Sequence, residues 1–429
     1  MQPRAIHDRE RISRIQENLH TAGLEAVVCA LPSNVLLLTG YWPVVGQSIA
    51  VCVRGGPTVL LVPEDEAELA ETGFADSIET FVPETLNNTR SVLEAVRASL
   101  ADTLHKLKIA PGPIGVESGA SSQAASYLAL HLFGDELCSA LRELLPDSEP
   151  TSIDEWIRTV SSVKTPLELE RIRQACVIAK GAFELGASRI RAGMKEPKAA
   201  QLFQAPLSNN DGPELPVQRC NGFAFCMSGS NSAKAYAAYA RTRERTLESN
   251  DLVMIHCNSY VDGFWTDITR TYTLQAPEEK QAKMHTAVLA ARKAALSAII
   301  PGVRAAELDA AARQVIQDFG LGQFLKHGTG HGVGFSPMSA YSRPRVHAGS
   351  PDVLEEGMVF NVEPAVYIED YGGVRHCDMV VVTRSGHELL TDFQSNIESL
   401  TILNPNSTRG EAERSSIPFF DATTKQQAI

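Results

Sequence analysis

Apolar residues recur at helical intervals over residues 9–22, at Ile12, Ile15, Leu19 and Ala22. Gly23 then supplies the positive φ at which a helix ends. Short apolar runs follow at 26–30, 35–40, 48–53 and 58–62, each bounded by turn formers, and read as buried strands. Helices are expected over 89–108 and 120–144. Strands interleaved with helices predict an α/β domain. Residues 146–151 are rich in turn formers and mark a linker, which divides the chain into domains 1–150 and 151–404. Beyond it, Thr165, Pro166 and Glu168 form the start of a long helix: an N-cap, a proline at the first helical position and the partner that closes a capping box. Two further helices are predicted over 279–299 and 305–319. Alternation from Val261 to Thr273 predicts a strand that puts Asp267 and Thr269 on one face. Residues 405–429 are polar and aperiodic and read as a frayed tail.

The length of 429 residues exceeds what one hydrophobic core supports, in keeping with two domains. The apolar share of 44% and charged share of 21% are those of a soluble globular protein. A net charge of -12 argues against a nucleic-acid partner, which needs clustered Lys and Arg. No apolar run is long enough for a membrane helix, and the polar N-terminus is unlike a secretory signal. The eight cysteines are scattered without a Cys-x-x-Cys pair and read as reduced thiols in a cytoplasmic protein.

The candidate chemistry lies in the second half. Three segments stand out: Val261-Asp-Gly-Phe-Trp-Thr-Asp-Ile-Thr-Arg-Thr-Tyr272, His327-Gly-Thr-Gly-His-Gly-Val-Gly334, and Gly357-Met-Val-Phe-Asn-Val-Glu-Pro364 with Gly373-Val-Arg-His-Cys-Asp378. Glycine at 328, 330, 332 and 334 excludes a helix there, since each costs roughly 1 kcal/mol. An extended segment approaching a ligand closely is the physical alternative. Glu363 lies in a β-rich run, where a carboxylate is costly to bury unless paired or metal-bound. These segments resemble the Xaa-Pro aminopeptidase, prolidase, methionine aminopeptidase and creatinase family, whose catalytic domain is the pita-bread fold. Ser33-Asn-Val-Leu-Leu-Leu-Thr-Gly-Tyr41 likewise resembles the N-terminal domain of its creatinase and prolidase branch. The resemblance implies an α/β (α+β) architecture, a small-molecule substrate and a homodimer. It also implies metal ligands at His256, Asp267, His331, Glu363 and Cys377, with His327 outside the set.

Two of these five depart from the family's Asp, Asp, His, Glu, Glu: His256 stands at the first Asp, eleven residues before Asp267, and Cys377 at the last Glu. Cys377 is either a thiolate ligand or a small buried apolar residue. Two carboxylates balance one dication, so one divalent ion (Fe, Zn or Mn) or none is expected. Glu363, Arg375, His256 and His331 are the candidate catalytic groups, with Glu363 or His256 as proton acceptor and Arg375 as a clamp on substrate or on a ligand carboxylate. Met338, seven residues past His331, replaces the family's second histidine, and a thioether donates no proton. Tyr236 and Tyr239 are candidate replacement donors. His347 and His376 are spare histidines near the site in sequence, more often solvated loop residues than substrate-binding or catalytic ones. The set predicts C–N bond hydrolysis of a small amino-acid-derived molecule. Metal-free creatinase-like hydrolysis of a guanidino compound, non-hydrolytic metal chemistry by a lyase or iron-dependent oxidase, and an inactive binding protein are the alternatives. The departures argue against an ordinary Xaa-Pro dipeptidase.

Overall fold

The computed structural model describes residues 8–84, 87, 90–117, 134–209, 217–237, 239–337 and 342–403. Met338, much of the expected helix at 120–144 and the tail at 405–429 lie outside the described residues. The first domain runs α1 (Arg9–Ala22), β1 (Ala26–Cys29), α2 (Pro32–Thr39), β2 (Ile49–Val53), β3 (Thr58–Pro63), α3 (Ala67–Ala70), β4 (Ser77–Phe81), α4 (Val92–Leu107), β5 (Pro113–Val116), α5 (Asp135–Leu144) and β6 (Glu149–Ser152). Its six strands form one mixed sheet, ordered β4-β3-β2-β1-β5-β6. In β1, Ala26 and Val28 pack against one core, with Leu100 of α4 and Leu141 of α5, and Val27 and Cys29 against another, with Ile15 and Leu19 of α1. Both faces are covered, which is why the central strands are continuous apolar runs.

Two expectations fail here for local reasons. The apolar run beginning at Val35 is a helix, not a strand. Pro32 presets its first turn, and the buried carboxylate of Glu117 accepts the N–H groups of Ala30 and Leu31 at 2.5 and 2.6 Å and the amide of Asn34 at 2.9 Å. A short apolar run does not by itself distinguish helix from strand. The turn-rich segment at 146–151 is not a free linker: β6 begins inside it and pairs with β5 in parallel.

The chain continues with α6 (Asp154–Ser162), whose Trp156 and Val160 enter the same core as α1, and then with α7 (Pro166–Arg189) and α8 (Glu196–Gln204) of the second domain, followed by β7 (Cys220–Ser228), β8 (Leu252–Val261), β9 (Phe264–Trp265) and β10 (Ile268–Thr273). After α9 (Glu279–Ser297) and α10 (Ala305–Asp318) come β11 (Gly330–His331), β12 (Arg345–Val346), β13 (Val359–Val362), β14 (Ala365–Ile368), β15 (Gly372–Arg375), β16 (Asp378–Thr383) and β17 (Gly386–Leu389). Strands β10, β8 and β7 form an antiparallel sheet. Its back carries Ala224, Cys226, Val253, Ile255 and Cys257 into a core shared with Phe183 of α7 and Phe203 of α8. Helices α9 and α10 cover β13 and β16 through Ala291, Leu308, Phe360 and Val380. The front of the β10-β8-β7 sheet is left to face the site.

The capping box at Thr165 and Glu168 also joins the domains. Glu168 Oε2 accepts the Thr165 N–H at 2.9 Å, and both its oxygens accept from Arg11 of α1, Nε at 2.7 Å and Nη2 at 2.6 Å. Arg11 also donates to the carbonyls of Val160 and Val163 and is fully buried. Removing one member of such a pair strands the other charge in a dry interior. Arg11→Met is therefore expected to cost about 3–5 kcal/mol in urea unfolding. Lys106→Ala, which breaks the exposed pair with Glu79, should cost less than about 1 kcal/mol. Equal losses would remove Arg11 from this role.

Candidate metal centre

Strand pairing assembles the site. Thr269 of β10 lies opposite His256 of β8, which lies opposite Phe225 of β7. A further bridge pairs Thr269 with Cys377, in the bend between β15 and β16. Asp267 precedes β10, Glu363 follows β13, and His331 ends β11, which packs edge-on against β13. Close approach explains the glycines: a Cβ at Gly330 would lie 1.9 Å from the Asn361 carbonyl, and one at Gly332 would lie 2.1 Å from that of Arg343. The backbone lies against Asn361 of β13 and against the segment at Arg343, and this close approach delivers His331.

Asp267, His331 and Glu363 converge. His331 Nε2 lies 3.6 Å from Asp267 Oδ2 and 3.9 Å from Glu363 Oε1. Donor atoms of Asp267, Glu363 and Cys377 all lie within 4.8 Å of one another. The His331 backbone N–H binds Asn361 Oδ1 at 2.7 Å, which turns the Asn361 amide nitrogen toward His331 Nε2 at 3.2 Å. Nε2 is therefore the acceptor, and Nδ1–H donates to the Gly332 carbonyl at 3.1 Å. That is the tautomer a metal ligand requires, already fixed by a backbone partner. Cys377 is fully buried; its thiol donates to the Asp267 carbonyl at 3.1 Å. Burial, then Asp267 and Glu363, hold that thiol well above the ordinary range, so it is neutral in the metal-free protein. Burial, then Glu363, raises Asp267 to about 7.

His256 faces a different neighbour. Arg375 Nη2 lies 3.1 Å from His256 Nδ1, and Arg375 Nε donates to Thr269 Oγ1 at 3.1 Å. A guanidinium only donates, so His256 Nδ1 accepts and its Nε2–H points to Asn258 Oδ1 at 3.2 Å. Burial, then Arg375, drives the His256 pKa well below its usual value, and the ring is neutral. His256 Nδ1 lies 3.6 Å from Asp267 Oδ1, but its lone pair is engaged by a cation. Arg375 is nine-tenths or more buried, and the hydrogen-bond partners of its guanidinium among the described residues are His256, Thr269 and Tyr367.

The remaining candidates scatter. His376 is no solvated loop residue: it is buried beside Asp378, with Nε2 3.2 Å from Oδ2. Asp378 is held by Arg270 at 2.6 Å and by Arg292, and these cations keep its carboxyl well below the usual range despite burial. His347 sits in a turn, where Nδ1 accepts the Gly349 N–H at 3.2 Å. Tyr239 packs its ring 4.8 Å from that of His256, while Tyr236 is half exposed against Tyr367. Pattern reading missed Tyr367 and Asn361. The Tyr367 hydroxyl donates to His327 Nε2 at 2.9 Å and accepts from Arg375 Nη1 at 3.4 Å. Their only signal was position: Asn361 lies two residues before Glu363 and Tyr367 four after it, each within a β-rich run.

The donors Asp267, His331 and Glu363, with Cys377 at their side, fit a single divalent ion: two anionic oxygens, one imidazole nitrogen whose lone pair meets only a neutral amide that an ion can displace, and a displaceable thiol proton. They do not fit a pair. The position that a second ion would share with His256 has a guanidinium hydrogen-bonded into it, and no third carboxylate offsets the added charge.

This is the architecture of a two-domain metallohydrolase with its site on the open face of a β-sheet. The chain matches the description of metallopeptidase family M24 over residues 170–384 and that of the creatinase/prolidase N-terminal domain over residues 11–160, and it belongs to family M24. It is similar to a Xaa-Pro dipeptidase of Pyrococcus furiosus, 30% identical over 389 residues that cover 91% of this chain and 99% of the relative. The prolidase of Pyrococcus horikoshii superposes with a TM-score of 0.72 at 28% identity, covering 90% of this chain and 98% of that one. The X-Pro aminopeptidase of Thermotoga maritima shares the fold, with a TM-score of 0.73 at 22% identity. No helix among the described residues is long and apolar enough to cross a membrane, and all eight cysteines are free.

If the glycines deliver His331, Gly330→Ala must push β11 off β13. Its metal affinity, read by equilibrium dialysis, should fall at least about tenfold with the circular dichroism unchanged. Gly349→Ala, where a Cβ meets nothing nearer than 3.8 Å, should bind as wild type.

Proposed function

We propose that the protein is a mononuclear member of its family that hydrolyses the C–N bond of a small amide derived from amino acids. The observation that carries this is the hydrogen bond from Arg375 to His256 Nδ1, which supports one ion in place of two. Asp267, His331 and Glu363 hold that ion, with Cys377 as the fourth donor. A divalent ion there supplies Lewis-acid polarisation and an acidified water. Zinc or Fe(II) suits a set that includes a thiolate better than manganese does.

The side chains divide the remaining work. Glu363 is half-buried at the edge of the cluster and is the proton acceptor. His256 is not, because its free nitrogen is already bonded to a cation. Arg375 provides fixed positive potential toward developing negative charge, and the Tyr367 hydroxyl, whose proton goes to His327, accepts from Arg375 Nη1 and helps hold the guanidinium in place. His327, bonded through Nδ1 to the Gly328 carbonyl at 2.7 Å, accepts from Tyr367 and fixes its orientation.

Xaa-Pro dipeptides belong among the first substrates to assay, since the curated relatives carry that name. The His256 and Cys377 positions and Met338 remove parts that the resemblance assigns to that reaction, so other small amides are tried beside them. Elemental analysis is expected to return one ion per chain, and chelation to abolish turnover. Two tightly bound ions per chain would sink the mononuclear reading. Full turnover in verified ion-free protein would replace it with metal-free histidine–glutamate chemistry.

Metal affinity should also depend on pH. Asp267 must lose its proton to bind, and its pKa is raised to about 7 in the metal-free protein. Below that value proton and ion compete, so affinity is expected to fall about tenfold per pH unit as pH drops below 7, and to change little through Asp267 above it. A flat dialysis profile from pH 5 to 7 would remove Asp267 from the ligand set.

A further inference from the structure

Asp309 is a fully buried carboxylate on α10, outside the ligand cluster. A carboxylate is costly to bury, and an apolar side chain could fill the same space without that cost, as Leu308 beside it does. Asp309 instead reaches from the helix to the segment between His327 and His331. Its Oδ1 accepts the Thr329 N–H at 3.0 Å and the Thr329 hydroxyl at 2.8 Å. Its Oδ2 accepts from Arg313, one turn along the helix, and Arg313 Nη2 donates to the His327 carbonyl at 2.9 Å. An oxygen that takes both the N–H and the hydroxyl of one residue fixes that residue's χ1 and the peptide before it.

The corner held in this way is closely packed. The Thr329 N–H is shared with the Val346 carbonyl at 2.7 Å, and a Cβ at Gly328 would lie 2.7 Å from that same oxygen. Two hydrogen-bonded threads lead from the corner into the site. The Thr329 carbonyl accepts the backbone N–H of Glu363 at 2.7 Å, just past the end of β13. The His327 ring accepts from Tyr367, which accepts from Arg375. Helix α10 therefore reaches the ligand Glu363 through a single intervening residue, gripped on one side by Asp309 and bonded on the other to Glu363.

We propose that Asp309, with Arg313 as its counter-ion, is a positioning residue for Glu363. Acting through Thr329, it sets where that carboxylate stands relative to Asp267 and His331, and so how tightly an ion is held. The inference rests on the metal reading and deepens it.

Co(II) is the probe, with affinity read by equilibrium dialysis and coordination by visible absorption. Asp309→Asn keeps the shape of the side chain, removes its charge and turns one of its acceptors into a donor. It should lower Co(II) affinity at least about tenfold and shift the visible band. Thr329→Val removes the hydroxyl and should move both readouts in the same direction, whereas Thr329→Ser, which keeps it, should restore them. Glu66→Gln controls for stability: it disturbs a buried carboxylate of the first domain that binds Tyr41 and the N–H groups of Val44 and Val45. That variant should lower the urea midpoint and leave Co(II) affinity unchanged. Wild-type affinity and spectrum in Asp309→Asn, or in Thr329→Val where the first variant does not fold, overturns the proposal, as does an equal loss in Glu66→Gln. If the wild-type protein takes up neither Co(II) nor Zn(II), the metal reading fails and amide hydrogen exchange of the ion-free chain decides. Faster exchange in peptides spanning 359–363 of Thr329→Val, reversed in Thr329→Ser, would uphold the hold on Glu363; exchange equal to wild type would overturn it.

Discussion

The structure of the site turns on where one buried cation lies. Arg375 is carried by β15 into the space between His256 and Thr269, and its guanidinium can only donate. An aspartate at position 256 would make that contact a charged pair and would still have an oxygen for a metal. A histidine offers one lone pair on that side, and Arg375 Nη2 at 3.1 Å and Thr269 Oγ1 at 3.0 Å both lie against it. Substituting His256 therefore does more than delete a charge: it converts a shared position into a closed hydrogen bond. With Cys377 as a thiolate, two carboxylates, one guanidinium and one dication sum to zero. A second dication would leave two positive units in a region of low dielectric, where the repulsion is many times its value in water.

Cys377 completes the same logic from the other side. In the metal-free protein its thiol is neutral and bonded to the Asp267 carbonyl, so it adds no anion to a pocket in which Asp267 is already pushed up by Glu363. An ion bound by Asp267 and Glu363 would reverse the local potential and favour the thiolate. A cysteine here is silent until the ion arrives, whereas a glutamate would demand a cation at once. The pair His256 and Cys377 thus lowers the cost of the empty site as well as its capacity.

Much of this was legible in the sequence, because ligand chemistry is local. The eleven-residue step from His256 to Asp267 is one hairpin, β8 to β10, and alternation along it set the facing of Asp267 and Thr269. Glycine density excluded a helix at His331, and the structure adds the close approach of that backbone to β13. The capping box at Thr165 was visible, but its second role in holding Arg11 was not, since nothing in the spacing of Glu168 points 157 residues back. Partners distant in sequence were the general failure. The helix at Pro32 depends on Glu117, the sixth strand depends on β5, and the burial of His376 depends on Asp378 and its arginines. Arg375 was recognised as a charge at the site, yet its target was a histidine where a carboxylate was expected.

The two domains meet at both ends of the same sheet, and this bears on how the site is kept in register. At one end Arg11 and Asp8 of the first domain bind Glu168 and Thr165, fixing the start of α7, whose far side packs on the back of β8. At the other, Trp42 lies over Gly263 in the β8–β9 turn, and Arg219 binds the carbonyls beside it. The strand carrying His256 and the turn leading to Asp267 are thereby held from both faces. A charged clasp on the apolar side and an aromatic clasp on the open side do different work. The first is strong but costs desolvation, and its gain is geometric: a bidentate pair admits one orientation. The second tolerates sliding of flat rings. The first domain is therefore part of the site's support.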